Sequence, residues 1–125
     1  MILIIAGSRE CGKIGPNEWD YDFLVNEIDR AVTENGLEVT QVISGDARGP
    51  DKAGEDWAHE KDIPVVIMKP TWNLGRGAAF VNNTNMALKA DALLVIYDGK
   101  SKGTKHMIQQ MDKRNKPVYN GKRTY

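Results

Sequence analysis

Val39-Thr40-Gln41-Val42-Ile43-Ser44-Gly45-Asp46-Ala47-Arg48-Gly49-Pro50-Asp51 is an apolar run of strand length that stops at a glycine-bearing loop and passes into a helix-like segment. Pro50 suits the first helical position, and Asp51 falls in the first turn, where the helix dipole favours a carboxylate. The same succession occurs twice more: residues 2–6 lead into Gly7-Ser8-Arg9, and residues 92–97 into Gly99-Lys100-Ser101-Lys102-Gly103-Thr104. In a parallel α/β sheet such junctions share one edge, so loops distant in sequence meet around a single crevice. Free backbone N–H groups at helix N-termini, backed by the dipole and by the close approach glycine allows, favour an anion there, above all a phosphate.

Working outward, continuous Val/Ile/Leu runs at 2–6, 39–44, 63–68 and 92–97, with a weaker one at 117–119, indicate strands covered on both faces. Helical stripes fill the gaps: Leu24, Ile28, Ala31 and Val32; Ala53 and Trp57; Phe80, Thr84, Ala87 and Leu88; and Thr104, Met107, Ile108 and Met111. The alternation predicts an α/β fold of three layers, a mostly parallel sheet of about five strands with helices on both faces. Residues 1–125 are expected to form a single domain, of a size that buries roughly two thirds of the surface its unfolded chain exposes. The connections at 9–20 and 69–77 are longer than usual and are candidate rims or lids of the crevice.

Composition narrows the function classes. Lys plus Arg and Asp plus Glu number 17 each, so no net charge draws the chain to nucleic acid or membrane, and nucleic acid is not an expected partner. The apolar residues 1–6 are too short to span a bilayer and carry no basic leader; they read as a buried first strand. Cys11, the one cysteine, cannot form an internal disulfide, which suits a reducing cytoplasm. His59 and His106 lack metal-ligand spacing, so neither a metal nor a cofactor is expected. Residues 99–104 end like a Walker A loop, but Leu94 stands where that motif needs its first glycine. Gly75-Arg76-Gly77 fails the dinucleotide fingerprint because Phe80 replaces the third glycine.

Within the loops, Arg48 can grip a phosphate or carboxylate through its planar fork, although the same segment also describes a well-capped helix. Asp46 would be repelled by a phosphate and suits a ribose hydroxyl or a metal better. Ser101 can donate to an oxyanion and Thr104 can cap the following helix. Ser8 has no nucleophile-elbow context, so binding through its hydroxyl together with Arg9 is the expected role. Glu10, Asp46 and Asp51 are the candidate catalytic carboxylates, and Asp98 can also reach the crevice. Trp19 and Trp72 can stack on a base or simply pack. Asn82, Asn83 and Asn85 make the third helix unusually polar, with Asn83 placed to point into the crevice. Lys113, Arg114, Lys116, Lys122 and Arg123 read as a solvated basic surface.

These pieces, with Trp57-Ala58, Asn83, Met86 and Ala90-Asp91-Ala92 in the same order and spacing, resemble the YspA-like branch of the SLOG superfamily, named for the Smf/DprA proteins and the LOG enzymes. The resemblance implies a Rossmann-like sheet with a nucleotide or nucleotide-derived ligand at its C-terminal edge. It implies a site lined by Gly7, Ser8, Arg9, Gly45, Arg48, Gly49, Asp51, Asn83, Gly99, Ser101, Gly103 and Thr104, with Asp46 and Ala47 in the same second loop. Three positions depart from the family pattern: Asp46 replaces a frequent glycine, Asn82 a frequent arginine, and Met107 the glutamate of the LOG enzymes, whose catalytic machinery therefore does not carry over. The leading expectation is binding of a nucleotide-like small molecule. Hydrolysis or transfer at the N-glycosidic or phosphate bond of such a ligand, and DprA-like single-stranded DNA binding, stand as alternatives. An exposed helix layer also leads us to expect a homo-oligomer.

Overall fold

The structure, a computed structural model, describes residues 1–75 and 77–121. Arg76, and Lys122 and Arg123 of the basic tail, lie outside the described residues. The chain runs β1 (Ile2–Gly7), β2 (Lys13–Gly15), β3 (Glu18–Trp19), α1 (Tyr21–Glu34), β4 (Gln41–Ser44), α2 (Pro50–Glu60), β5 (Val65–Ile67), a 3₁₀ turn (Trp72–Leu74), α3 (Ala78–Lys89), β6 (Ala92–Ile96), α4 (Lys102–Lys113) and β7 (Val118–Asn120).

Five strands form a wholly parallel sheet in the order β5-β4-β1-β6-β7. Strand β1 is central, with Ile4 opposite Ile43 on one side and Leu93 on the other. The chain first builds outward through β4 and β5, then crosses back to β6, so the winding direction reverses between β1 and β6. That reversal opens a crevice at the C-terminal edge. This is the Rossmann-like α/β arrangement expected from the alternation of runs.

Both faces of the central strand are buried. Leu3 and Ile5 pack with Leu24, Ile28, Ala53 and Trp57 of α1 and α2, while Ile4 packs with Met86, Met107 and Met111 of α3 and α4. Each such aliphatic side chain withdrawn from water contributes about 1.5–3 kcal/mol, which is why an unbroken apolar run, rather than an alternating one, marks these strands.

Three sequence expectations need correction. The strands are shorter than the apolar runs, since Val39, Thr40, Ile63 and Pro64 precede β4 and β5. Pro64 still lends its carbonyl to Val42 N at 2.9 Å, as the ladder begins. The 9–20 connection is no plain loop but contains the antiparallel pair β2–β3. The third helical stripe is also rotated. Phe80 and Leu88 are 46% and 61% exposed, and α3 instead buries Ala78, Asn82, Met86 and Ala87. Asn82 can be buried because its amide Nδ2 donates to the Met68 carbonyl at 2.7 Å. Phe80 stacks on His106 of α4, ring centroids 4.3 Å apart. Of the basic residues near the C-terminal end, Lys116 donates to the carbonyls of Ala87 and Leu88 at the end of α3, where a cation suits the dipole.

Helix α2 lies close against β1 because Gly54 has no side chain: a Cβ there would sit 2.7 Å from Ile5 Cβ and Cγ2. Gly54→Ala should therefore lose about 1–3 kcal/mol to overpacking, outweighing the roughly 1 kcal/mol that alanine gains in helix propensity. Urea unfolding measures the balance; an unchanged or raised midpoint would show that α2 can move off the sheet at little cost.

Candidate functional site

The C-terminal ends of β1, β4 and β6 and the segment after β5 surround a crevice of about 490 Å³. On the β1 and β4 side it is lined by Gly7, Arg9, Gly45, Asp46, Ala47 and Asp51; on the side of α3 and α4 by Asn83, Ser101, Gly103 and Thr104. The sequence reading missed Lys69, which lines it from the end of β5, and left Trp72 between a stacking and a packing role; Trp72 also lines the crevice and is 67% exposed. The signal for Lys69 was its place directly after a parallel strand, at the edge where the other loops converge.

Other expected site residues lie elsewhere. Ser8 is buried and its hydroxyl donates to Asp98 Oδ1 at 3.0 Å, tying the β1 loop to the β6 loop. Asp98 also accepts from the amides of Lys100 and Ser101, so it shapes the turn before α4. Gly99 takes a left-handed φ of +82° in that turn and does not line the crevice. Gly49 lies under Trp19, whose indole would meet a Cβ there at 2.9 Å. Glu10 is exposed and pairs with Lys13 at 3.6 Å, outside the crevice. Arg48 faces a neighbouring cavity of about 670 Å³, bounded by Trp19, Tyr21 and Lys52 and joined to the crevice through Asp46. Trp19 Nε1 donates to the Arg9 carbonyl at 2.6 Å, fixing the β2–β3 hairpin over the β1 loop.

The three glycine loops differ in where their amides go. In the β4–α2 loop, Asp46 N donates to Ser44 Oγ, Ala47 N to Asp51 Oδ2 and Gly49 N to Tyr21 Oη, at 3.0, 3.3 and 3.2 Å. Pro50 has no N–H to offer. At the end of β1, Ser8 N donates to the Ile96 carbonyl at 2.9 Å. The amides of Gly45, Arg48 and Lys52 find no acceptor among the described residues, and the β6–α4 loop likewise keeps donors in reserve. Ser101 Oγ caps Thr104 N at 3.3 Å, whereas the amides of Lys102 and Gly103 find no acceptor among the described residues. Because Ser101 Oγ accepts from Thr104, its own proton is free to donate outward. Asn83 Nδ2 donates to the Gly103 carbonyl at 3.2 Å, leaving its oxygen as an acceptor.

Electrostatics divides the crevice carboxylates. Asp46 has a left-handed φ of +61°, a conformation glycine takes without cost and aspartate tolerates better than most. That accounts for an aspartate at a position where glycine is frequent. Glu55 beside it, then Lys52 at 3.0 Å and Lys69 at 3.1 Å, hold its carboxyl down to about 2. Burial, reinforced by the neighbouring Asp46, pushes Glu55 the other way. Asp51 is only 9% exposed, and burial pushes its carboxyl up to about 7 against the pull of the Ala47 amide. Arg9 is exposed at the crevice mouth with no ion-pair partner among the described residues.

The chain belongs to the YspA, cpYpsA-related SLOG family, whose model matches residues 1–75. The match runs from β1 through the 3₁₀ turn and stops before α3 and the β6–α4 loop. None of the curated proteins matches the chain. Membership points to nucleotide-related binding or processing in general terms. Among the described residues no helix is long and apolar enough to cross a membrane.

The raised Asp51 carboxyl has a definite sign in stability. Its folded value of about 7 lies above the roughly 3.9 of an unfolded aspartate, so the native state binds the extra proton between those values. Stability therefore falls as pH rises through that window, by on the order of 4 kcal/mol, and the full penalty is present above pH ~7. Asp46 acts oppositely and in a lower window, losing its contribution as pH falls from about 4 toward 2. Asp51→Asn should abolish most of the decline between pH ~4.5 and ~8 in urea unfolding while keeping an acceptor for the Ala47 amide. An unchanged decline would place its cause in another group.

Proposed function

We propose that the protein binds a nucleotide or nucleotide-derived ligand in this crevice, with a phosphate on the first turn of α4. The amides of Lys102 and Gly103 and the Ser101 hydroxyl would donate to it, and Arg9 and Lys69 would supply charge from the opposite wall. Asp46 and the Asn83 oxygen are acceptors for ribose hydroxyls, and the exposed Trp72 ring offers a face to a base. The single observation that carries this reading is the first turn of α4, where the Ser101 hydroxyl and the amides of Lys102 and Gly103 stay unclaimed and where Ser101 and Gly103 line the crevice together with Arg9 and Lys69. Charge-assisted hydrogen bonds contribute about 1.5–3 kcal/mol each, so three or four reach the ~8 kcal/mol of a micromolar site.

A second reading, turnover of the bound ligand by a hydrolase or transferase, is favoured by one observation. Two carboxyls in one crevice have their proton affinities pushed apart, Asp46 toward 2 and Asp51 toward 7, the separation that divides acid from base roles. Mass spectrometry after long incubation with stoichiometric protein decides it: an unaltered ligand rejects turnover of that compound.

Calorimetry with mono-, di- and cyclic nucleotides tests binding. Arg9→Ala and Lys69→Ala should each weaken the best ligand by about 10- to 150-fold, whereas Arg48→Ala, in the adjoining cavity, should leave it unchanged. Affinity that ignores Arg9 and Lys69 but depends on Arg48 would move the ligand to the neighbouring cavity.

A further inference from the structure

Asn82 is only 8% exposed, yet it lines the crevice. Its Nδ2 donates to the Met68 carbonyl at 2.7 Å, which fixes the amide's orientation and turns Oδ1 away from that carbonyl. No donor among the described residues reaches Oδ1, and no buried side-chain nitrogen or oxygen among them lacks a partner, so the oxygen is open to a ligand. The amide stands at the crevice floor. A Cβ on Gly45 would sit 3.8 Å from Met86 Cε and 3.9 Å from the Met68 oxygen, and Gly45 and Met86 line the same crevice. We infer that Asn82 reads the base, and that the crevice selects a ring bearing an exocyclic amino group, adenine or cytosine in kind, over its keto counterpart. This rests on the crevice reading above and names its ligand class.

The chemistry of the surroundings agrees. A fixed acceptor in a confined space takes an amino hydrogen and repels a keto oxygen. The ring N–H of uracil or hypoxanthine brings no relief, because it lies beside keto oxygens that would be carried against Oδ1 and the Met68 carbonyl next to it. Lys69, the following residue, pairs with Asp46 at 3.1 Å, so its charge is already engaged. Around the amide the lining is apolar: Pro70, Trp72, Met86 and Met107 offer an indole and two thioethers to the face of a flat ring. Asn82 also stands where relatives frequently carry an arginine. A guanidinium only donates, so asparagine turns that position from an anion clamp into an acceptor.

The test is calorimetry of the full chain at pH ~8, where Asp51 is mostly ionised and adds no donor. The probes are AMP against IMP, CMP against UMP, GMP, and ribose 5-phosphate as the ligand without a base. In whichever pair binds more tightly, the parent should hold the amino member at least about tenfold tighter than the keto member. Asn82→Leu, which keeps the bulk without the acceptor, should cut that ratio at least about fivefold and leave ribose 5-phosphate affinity unchanged. Asn82→Ser, whose hydroxyl donates as readily as it accepts, should do the same if the leucine variant fails to fold. With neither variant folded, the parent's ratio and a shift of the Asn82 side-chain amide resonances on binding decide. Arg9-dependent binding with a parent ratio below about tenfold, or with a ratio that neither substitution cuts about fivefold, would overturn the inference and leave the crevice reading standing. Arg9-dependent binding of GMP alone would do the same. No Arg9-dependent binding of any nucleotide would bring down both.

Discussion

Every backbone N–H at the C-terminal edge of a parallel sheet needs an acceptor, and where the chain fails to provide one a ligand or water must. Much of the site follows from how this molecule meets that requirement. Ser44, Asp51 and Tyr21 take three amides of the β4–α2 loop, which holds that side of the crevice in shape. Asp98 gathers the amides of Lys100 and Ser101 and the hydroxyl of Ser8, which fixes the turn before α4 and aims the next two amides outward. A rigid turn with spare donors binds an anion without first ordering itself, and binding loses least where ordering is already complete.

Much of the fold was legible because burial on both faces leaves an uninterrupted apolar signature. Leu3, Ile4 and Ile5 are each shielded from water, though they face different helix layers. Legibility failed where polar groups are buried with partners supplied from a distance. The face of α3 could not be read from its large residues, because Asn82 is satisfied by a carbonyl 14 positions earlier while Val81 and Leu88 stay outside. The hairpin escaped because strands of three and two residues carry no period.

For the site, the convergence of the loops was legible, since it depends on topology alone. Which amides of the loops are taken was not, since that turns on Tyr21 reaching Gly49 across 28 positions and on the Asp51 carboxyl turning back to Ala47. Arg48 shows the same limit. Its residue type and loop are those of an anion clamp, yet the backbone around it directs the side chain to the neighbouring cavity. Lys69 reaches the crevice from the fourth strand end, a place where no glycine announced a loop.

The family match covers the half of the chain that holds Arg9, Asp46, Asp51 and Lys69, and the spare amides of α4 lie beyond it. The two halves meet physically in the parallel pairing of β1 with β6 and in the side-chain hydrogen bond from Ser8 to Asp98, which together fix the acidic wall relative to the first turn of α4. The two walls differ in kind: the first turn of α4 offers unclaimed donors, and the facing wall holds a carboxyl against burial and against two neighbouring carboxylates. Keeping Asp51 there costs folding stability above neutral pH, a cost with no return in packing, since an asparagine would fill the same space. A strained acidic group retained at a ligand-sized opening is the mark of a residue held for chemistry or recognition rather than for the fold.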